Sequence, residues 1–312
     1  MNNIHQALIS VVIPTFNHAE FIRKSVSSVL NQTYKNFEII IVDNHSADHT
    51  KEVIDSFRDP RIKYHKINNN GVIASSRNKG INKSSGEWIA FLDSDDFWYR
   101  ERLSIIASHI EETDSYDVIT TDEKIVSYGN VQTKRVLRYG PNFKNLYKKM
   151  LLYGNRLSTS AVCVRKEFLI KNNLLFDERE EFITVEDYDL WLRISKCGAK
   201  FKFISSIQGE YSVHERNNSR QEDIHLVNNI SLLKEHIFKL QEFDERKERL
   251  WKRIGCRLKF NASLIEIRSL NILSGLKSLF LTYAKSPLFL TSYIFFLFYI
   301  KTLNFVFSLF KK

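Results

Sequence analysis

Three carboxylates follow a short apolar run in the stretch Gly86–Trp98, which reads GEWIAFLDSDDFW. They are Asp93, Asp95 and Asp96, and the apolar run before them predicts a buried strand. Strands disfavour acidic residues, so a cluster at a strand end needs a counter-charge. A divalent cation, bound together with the phosphates of a ligand, would supply it. Capping of the helix that is predicted to follow would also explain Asp95 or Asp96, and these residues alone leave both interpretations open.

A second acidic cluster contains Glu186, Asp187 and Asp189, at the start of a predicted helix. A carboxylate at this position could take a proton from a reacting hydroxyl group, or it could cap the helix. The helix N-terminus would lower the pKa of Asp187, whereas the neighbouring carboxylate of Glu186 would raise it. The sequence does not decide which effect is larger.

The elements that position these clusters alternate between strand and helix over roughly the first hundred residues. Four strands are predicted: Leu8–Thr15, Phe37–Val42, Arg61–Ile67 and Trp88–Leu92. Strands and helices that alternate at this spacing form a parallel sheet covered by helices, and ligands bind at the carboxyl ends of its strands. Three polar clusters are expected at that edge: Thr15–Asn17, Asp43–Asp48 and Asp93–Asp96.

Several common motifs are absent from the sequence. It contains no GxGxxG after the first strand, no GxxxxGK[ST], no GxSxG and no HExxH. These absences argue against a Rossmann dehydrogenase, a P-loop NTPase, an α/β-hydrolase and a zincin protease. A bound nucleotide would therefore be held by carboxylates, a metal ion and scattered basic residues.

The composition is that of a globular protein of 312 residues, with 43% hydrophobic and 26% charged residues. Its three cysteines have no metal-binding spacing and indicate a reducing compartment. The polar N-terminus gives no sign of a signal peptide, so we expect a cytoplasmic protein.

The net charge of +10 is concentrated near the C-terminus, because residues 246–285 carry ten Lys or Arg against two Glu. Nearly all of the residues Leu288–Ile300 that follow are apolar. As a helix this run is about 20 Å long, shorter than the roughly 30 Å hydrocarbon core of a bilayer. We expect an in-plane or re-entrant anchor on the inner leaflet of the cytoplasmic membrane rather than a nucleic-acid site. A buried helical hairpin or a dimer interface is the alternative.

Four motifs carry a resemblance to a known family: VVIPTFN, VDNHSADHT, GVIASSRNKGINKSSGEWIAFLDSDDFW and VEDYDLWLRI. Over roughly residues 8–215 they resemble, in order and register, the family 2 glycosyltransferases of the GT-A fold. The resemblance implies a Rossmann-like, mostly parallel central sheet flanked by helices, followed here by a helical C-terminal extension. It also implies an inverting enzyme that uses a nucleotide-sugar donor and Mg²⁺ or Mn²⁺.

The resemblance also assigns roles to individual residues. It implies that Asp187 is the general base, and that Asp93 and Asp95 form the DxD pair, with Asp95 as the principal metal ligand and His214 as a possible third contact. The residues implied to bind the nucleotide are Pro14, Thr15, Asp43, Arg77 and Asp93. Those implied to support the site are Glu186, Asp96 and Trp191, with Trp191 on the acceptor side.

We therefore predict a catalytic domain over residues 1–220, with a nucleotide-binding half at about 1–100 and an acceptor half at about 101–220. Residues 221–312 are predicted to be helical, with the basic segment 246–285 and an apolar, membrane-associating tail at 287–310. The predicted activity is transfer of a hexosyl or N-acetylhexosaminyl group from a nucleoside-diphosphate sugar, expected to be a UDP-sugar, to a glycan or lipid-linked acceptor in surface-polysaccharide biosynthesis. A nucleotide-sugar-binding protein without turnover and a nucleotidyltransferase are the alternatives.

Overall fold

The computed structural model of the chain describes residues 6–112, 115–127, 135–214, 222–268 and 270–309. Two compact units divide the chain: Met1–Lys144 with Arg156–Asn229, and Asn145–Asn155 with Ile230–Lys312. The predicted domain boundary between residues 220 and 221 lies outside the described residues, and so does Phe310 at the predicted end of the apolar tail.

The first unit is built on a mixed sheet of nine described strands. Their bounds are β1 Ile9–Thr15, β2 Phe37–Asp43, β3 Ile62–Lys66, β4 Trp88–Phe91, β5 Phe97–Trp98, β6 Val118–Ser127, β7 Val136–Leu137, β8 Val162–Arg165 and β9 Phe201–Val213. The order across the sheet is β3-β2-β1-β4-β8-β6-β9-β5, and β7 pairs with β6.

Helices cover this sheet and form the second unit. Their bounds are α1 Ala19–Leu30, α2 Thr50–Asp55, α3 Ile73–Lys83, α4 Arg102–Glu112, α5 Leu146–Tyr153, α6 Lys166–Lys171, α7 Glu186–Lys196, α8 Glu222–Glu235, α9 Lys247–Arg268, α10 Ile272–Lys285 and α11 Pro287–Leu309. Short 3₁₀ turns occur at Thr159–Ala161 and Glu180–Phe182, and a π-helical turn at His236–Leu240.

The strands β3, β2, β1 and β4 are parallel, as the alternation of strand and helix predicts. Every residue of β1, β2 and β4 is buried, because helices cover both faces of this part of the sheet. In the register of β1 and β2, Thr15 lies opposite Asp43, so both strands end at the same level. β4 pairs Phe91 with Val12, which brings the acidic cluster after β4 to that same edge.

The other half of the sheet is not a continuation of the parallel pattern. β8 runs antiparallel to both β4 and β6, whereas β6 and the long strand β9 are parallel to each other. The β6–β9 register shifts on either side of Asp122. Because β9 ends at Val213, His214 follows directly at its carboxyl end.

The second unit exposes many large hydrophobic side chains. Eleven of the nineteen exposed large hydrophobic residues among the described residues lie within residues 270–299. Between α9 and α10, the buried positions are instead small or polar: Ser263, Gly275 and Thr282. A Cβ atom at Gly275 would lie 2.6 Å from Ile267 and 2.9 Å from the Ser263 carbonyl oxygen, so this close approach of the helices requires glycine.

Within the described residues, no single helix has both the length and the apolar character needed to cross a membrane. The pair Ile272–Lys285 and Pro287–Tyr299 meets the criteria of length and composition when taken together, but it bends by 115° at the break.

Candidate active site

The DxD loop after β4 is held by one buried serine from a distant part of the chain. The Ser160 hydroxyl accepts a hydrogen bond from the backbone N–H of Asp93 at 3.0 Å and donates to Asp96 Oδ2 at 2.5 Å. The indole Nε1 of Trp98 donates to the Ser160 carbonyl oxygen at 2.9 Å. Asp96 also accepts from the backbone N–H of Ser212 at 2.8 Å, so its carboxylate is turned towards the protein.

Asp95 is directed to another side chain. Its Oδ2 lies 2.8 Å from Nε2 of His214, whose ring stacks on Phe21 with a centroid separation of 4.6 Å. Burial and the neighbouring charge of Asp93 raise the pKa of Asp95, and the hydrogen bond from His214 opposes that shift. Asp95, just after β4, and His214, just after β9, are thus brought together.

Arg77 links the two acidic clusters. It projects from α3 and is 4% exposed. Its Nη2 donates to Asp93 Oδ1 at 2.8 Å and its Nη1 donates to Glu186 Oε1 at 2.6 Å. Its guanidinium also lies over the Phe176 ring, at 5.3 Å from the centroid. A single buried cation therefore joins the DxD loop to the start of α7, whereas the sequence suggested only a contact with the nucleotide.

Asp187 lies in the first turn of α7, beside this ion pair, and it is half-buried. Its Oδ1 accepts from the backbone N–H of Tyr188 at 2.6 Å. Burial and the adjacent Glu186 carboxylate raise its pKa to about 7, although the positive charge of Arg77 opposes the shift. The effects of burial and of the like charge thus exceed those of Arg77 and of the hydrogen bond from the Tyr188 N–H, both of which lower the pKa of Asp187.

Asp43 is completely buried at the end of β2. Its Oδ1 accepts from the backbone N–H and the hydroxyl of Ser46, at 2.9 and 2.6 Å, and its Oδ2 accepts from the hydroxyl of Tyr64 at 2.5 Å. Each carboxylate oxygen has two acceptor positions. Oδ2 therefore retains one position for a further donor.

The loops after β1 and β2 are joined to each other. The backbone N–H of Asn17 donates to Ser46 Oγ at 2.9 Å, and Asn17 Oδ1 accepts from the backbone N–H of Ala47 at 2.8 Å. Just before these loops, Pro14 and Thr15 are buried at the end of β1. Thr15 Oγ1 has no hydrogen-bond partner within the part of the chain that the structure describes. The nearby ring of Phe16 is 52% exposed.

Trp191 is completely buried in α7 and packs against Phe91 and Phe176, with ring centroids 6.2 and 6.1 Å away. Its contacts fix the helix against the sheet. Any influence of Trp191 on an acceptor would therefore be transmitted through the position of α7.

Sequence reasoning did not identify three residues of this site. Ser160 lies 67 residues from Asp93 and has no local motif, so only the fold reveals it. His18 also escaped notice, although its Nδ1 lies 2.7 Å from Oγ of Ser94, inside the DxD motif. Ser46 could have been found, because an Asp that is followed three residues later by Ser is a common local hydrogen-bonding pattern.

The donor set suits a divalent cation that shares its ligands with a substrate. No group of three or more His, Cys, Asp or Glu residues is arranged to hold a metal ion by itself in the described ranges. Mg²⁺ is usually bound by one or two carboxylates together with substrate phosphates. The two carboxylates Asp93 and Asp95 at the sheet edge fit that kind of site, not a closed all-protein cage.

A comparison with protein-family models identifies the chain. The model of glycosyl transferase family 2 matches residues 10–175, more than half of the chain. The chain belongs to glycosyl transferase family 2. The resemblance stated from the four motifs is therefore confirmed, and the chain is a glycosyltransferase.

Two curated relatives of the family 2 chain extend the comparison. It is 32% identical over 231 residues to UDP-Glc:alpha-D-GlcNAc-diphosphoundecaprenol beta-1,3-glucosyltransferase WfaP of Escherichia coli, covering 73% of this chain and 86% of WfaP. It is 31% identical over 215 residues to the amylovoran biosynthesis glycosyltransferase AmsB of Erwinia amylovora, covering 66% of this chain and 70% of AmsB.

Solved structures share the fold. S. aureus TarS matches with a TM-score of 0.62 at 22% identity, over 80% of this chain but only 43% of the TarS chain. The shorter TarS 1-349 chain, in complex with UDP-GlcNAc, is covered to 71% with the same TM-score. The mannosyltransferase PcManGT of Pyrobaculum calidifontis, in complex with GDP-Man and Mn²⁺, has a TM-score of 0.59 at 14% identity, covering 94% of this chain and 81% of PcManGT. The predicted GT-A fold is confirmed.

Proposed function

We propose that this glycosyltransferase moves a sugar from a UDP-sugar to a hydroxyl group of a glycan or lipid-linked acceptor, with inversion at the anomeric carbon. The observation that carries the proposal is the bridge by Arg77, which joins Asp93 of the DxD loop to Glu186, the neighbour of Asp187. The carboxylate proposed to bind the donor is thus tied to the residue that precedes the candidate base in the chain. Such a link suits a reaction that needs both groups at a fixed separation.

Asp187 is the proposed general base. A general base works best when its pKa lies near the working pH, and the pKa of Asp187 is about 7. Its carboxylate takes the proton of the acceptor hydroxyl while the oxygen of that hydroxyl bonds to the anomeric carbon. The bond between that carbon and the diphosphate breaks on the opposite side, and its electron pair leaves with the nucleoside diphosphate. One base is sufficient for inversion.

The proposed metal ligands are Asp95 and Asp93, with His214 beside Asp95 at 2.8 Å. Mg²⁺ or Mn²⁺, when bound, offsets the negative charge that develops on the departing diphosphate. Arg77 holds Asp93 in its orientation, and Ser160 holds the backbone of the loop. Asp96 supports the loop from the side facing the protein.

The nucleotide is proposed to bind at the ends of β1 and β2. Thr15 Oγ1 offers it a polar group that has no partner among the described residues, and Pro14 precedes it in the same strand end. Asp43 would offer the base the remaining acceptor position of Oδ2. Because this carboxylate is completely buried, binding the base there requires the loop around Ser46 to open.

A UDP-sugar and a lipid-linked acceptor are proposed because of the relatives. The name of WfaP specifies UDP-Glc and a diphosphoundecaprenol-linked acceptor, and that of AmsB specifies the biosynthesis of a polysaccharide, amylovoran. The GDP-Man bound to PcManGT favours a different base, so the nucleotide has to be measured.

A cytoplasmic location on the inner face of the membrane is proposed from the second unit. The exposed face of α10 and α11 contains Leu273, Phe280, Leu288 and Phe295, which are 86, 72, 88 and 67% exposed. Large residues outside and small ones between the helices are typical of helices that are surrounded by lipid. The basic residues of the same segment complement anionic headgroups. The bend of 115° between the two helices suits an in-plane or re-entrant arrangement.

The test is a donor panel. Binding of UDP-, GDP- and other nucleotide sugars to the full-length protein is measured by thermal shift with Mn²⁺, and release of the nucleoside diphosphate is then followed with a diphosphoprenol-linked sugar acceptor. We expect a UDP-sugar to bind and UDP to be released only when the acceptor is present. Binding of a donor without release under any acceptor would overturn the proposal in favour of a binding protein.

A further inference from the structure

A buried arginine in the second unit has an incomplete set of partners. Arg257 of α9 is 2% exposed. Within the described part of the chain, neither its Nε nor its Nη1 has a hydrogen-bond partner. The buried Arg77 and Arg138 differ from it, because each forms an ion pair with a carboxylate, at 2.6 to 2.8 Å.

This arrangement is costly for an arginine in particular. A buried Lys, Asp or Glu can become neutral when burial disfavours its charge, but the guanidinium of arginine keeps its proton in proteins. A buried and unpaired charge strongly destabilises a fold unless an ion of opposite sign compensates it. The position of Arg257 thus calls for an anion that is not part of the described chain.

A glycine turn lies next to the guanidinium of Arg257. Its guanidinium lies against the turn that ends α5, where a Cβ atom at Gly154 would be 3.1 Å from Nη1. Gly154 has a φ of +99°, a conformation that other residues adopt with strain.

The same turn touches the apolar part of the unit. Tyr153, directly before Gly154, stacks on Phe296 of α11 at 4.3 Å between ring centroids. The outward face of α11 contains Phe295 and Phe298, which are 67 and 62% exposed. A ligand with a phosphate at one end and a hydrocarbon chain at the other would find a cation and an apolar surface side by side.

We propose that Arg257 and the turn at Gly154 form a binding site for a phosphate group, supplied by the headgroup of a membrane lipid. A guanidinium binds two phosphate oxygens through parallel hydrogen bonds, which an ammonium group cannot reproduce. The site lies within the second unit and does not depend on glycosyl transfer.

The experiment measures binding of the full-length protein to phosphatidylcholine vesicles with and without phosphatidic acid, by flotation. The variants are Arg257→Met, Arg257→Lys and the matched control Arg249→Met, which removes one positive charge from the same helix at a side chain that is 71% exposed. We expect Arg257→Met to lose roughly thirtyfold or more of the affinity for phosphatidic acid vesicles, because a buried charge partner is removed. Arg249→Met should lose about fivefold or less, the usual effect of one basic residue near an anionic surface. Arg257→Lys should lie between the two.

The melting temperature without vesicles separates ligand binding from a structural role. We expect Arg257→Met to melt at or above the wild-type temperature, because a buried unpaired charge has been removed. A clear fall in the melting temperature of Arg257→Met, together with wild-type vesicle affinity for Arg257→Lys, would show that Arg257 only stabilises the C-terminal end of α5. That result would overturn the proposal. Equal losses of vesicle affinity in Arg257→Met and Arg249→Met would also overturn the proposal, since net charge alone would then explain the binding.

A final arm identifies the source of the phosphate. Inorganic diphosphate is added to the wild-type protein and to Arg257→Met in the absence of vesicles. We expect no stabilisation that depends on Arg257. A rise in melting temperature that Arg257→Met abolishes would assign the site to a soluble phosphate and contradict the lipid source.

Discussion

The two units of the chain differ in the side chains that they expose. In the first unit, the polar side chains of Arg77, Glu186 and Asp96 are buried and have specific hydrogen-bond partners. In the second unit, many large apolar side chains are exposed around a small buried core that includes Phe260 and Leu290. The first arrangement fixes charged groups for chemistry, and the second suits an apolar environment. A substitution should therefore change catalysis in one unit and vesicle binding in the other.

The largest effect is expected for Asp187→Asn. Without a base, kcat should fall by about 10²–10⁴-fold, the usual contribution of general acid–base catalysis, while the KM for the donor changes little. Asp189→Asn is the control, because Asp189 is buried in the same helix and pairs with Arg193 at 2.7 Å. The rate of UDP release at saturating donor and acceptor gives kcat for both variants. Full transfer by Asp187→Asn would remove this residue from the mechanism.

Arg77→Met should produce the largest loss of stability. It leaves Asp93 and Glu186 without their common cation, and breaking a buried ion pair costs about 3–5 kcal/mol. Arg61→Met in the same unit removes a more exposed pair with Asp59 and should cost about 1 kcal/mol or less. Urea unfolding measures the free energy of unfolding of both variants. Similar losses would show that the charge bridge contributes little to the fold.

The pKa of Asp187 predicts a pH dependence. The base must be ionised, so kcat/KM should fall about tenfold per pH unit below a midpoint near pH 7. Because the pKa is raised above its ordinary value of 3.8, folding favours the protonated form, and this group lowers stability as pH rises from about 4 to 7. Asp187→Asn should remove that part of the pH dependence of unfolding. A flat rate profile between pH 5 and 8 would contradict the assignment.

The smallest expected effects are on the outer face of the second unit. Leu273→Ser or Phe280→Ser should each weaken vesicle binding roughly fivefold, since less apolar area leaves water. Neither should lower the melting temperature, because both side chains are exposed, by 86 and 72%. Ile170→Ser, at a residue that is 66% exposed in the first unit, should alter neither property. A marked loss of stability in the α10 variants would mean that protein covers this face.

The sequence was sufficient for the parallel half of the fold. The runs LISVVIPT and FEIIIV are long enough and β-rich enough to specify buried strands, and every residue of the resulting strands β1 and β2 is buried. The pairing of β8 with both β4 and β6 depends on contacts between residues far apart in the chain, which no local pattern records. For the same reason, the alternation of strand and helix did not indicate where the sheet becomes mixed.

The positions of the candidate site residues could be predicted from the sequence, but the contacts that hold them could not. Asp95 and Asp187 stand at the ends of elements that the pattern identifies, but their residue type and position left capping open, and only the four family motifs together implied their roles. The contacts that hold the neighbouring residues were not predictable, because Ser160 bonds Asp93 across 67 residues of chain and Arg77 bonds Glu186 across 109. The direction of the pKa shift of Asp187 likewise depends on burial, which a sequence does not give.

The central claim is that one base, Asp187, acts on a UDP-sugar in a single displacement. The most direct test is the anomeric configuration of the product, determined by NMR after transfer from an α-linked UDP-sugar to the diphosphoprenol-linked acceptor. The account predicts a β-linked product. An α-linked product would contradict it.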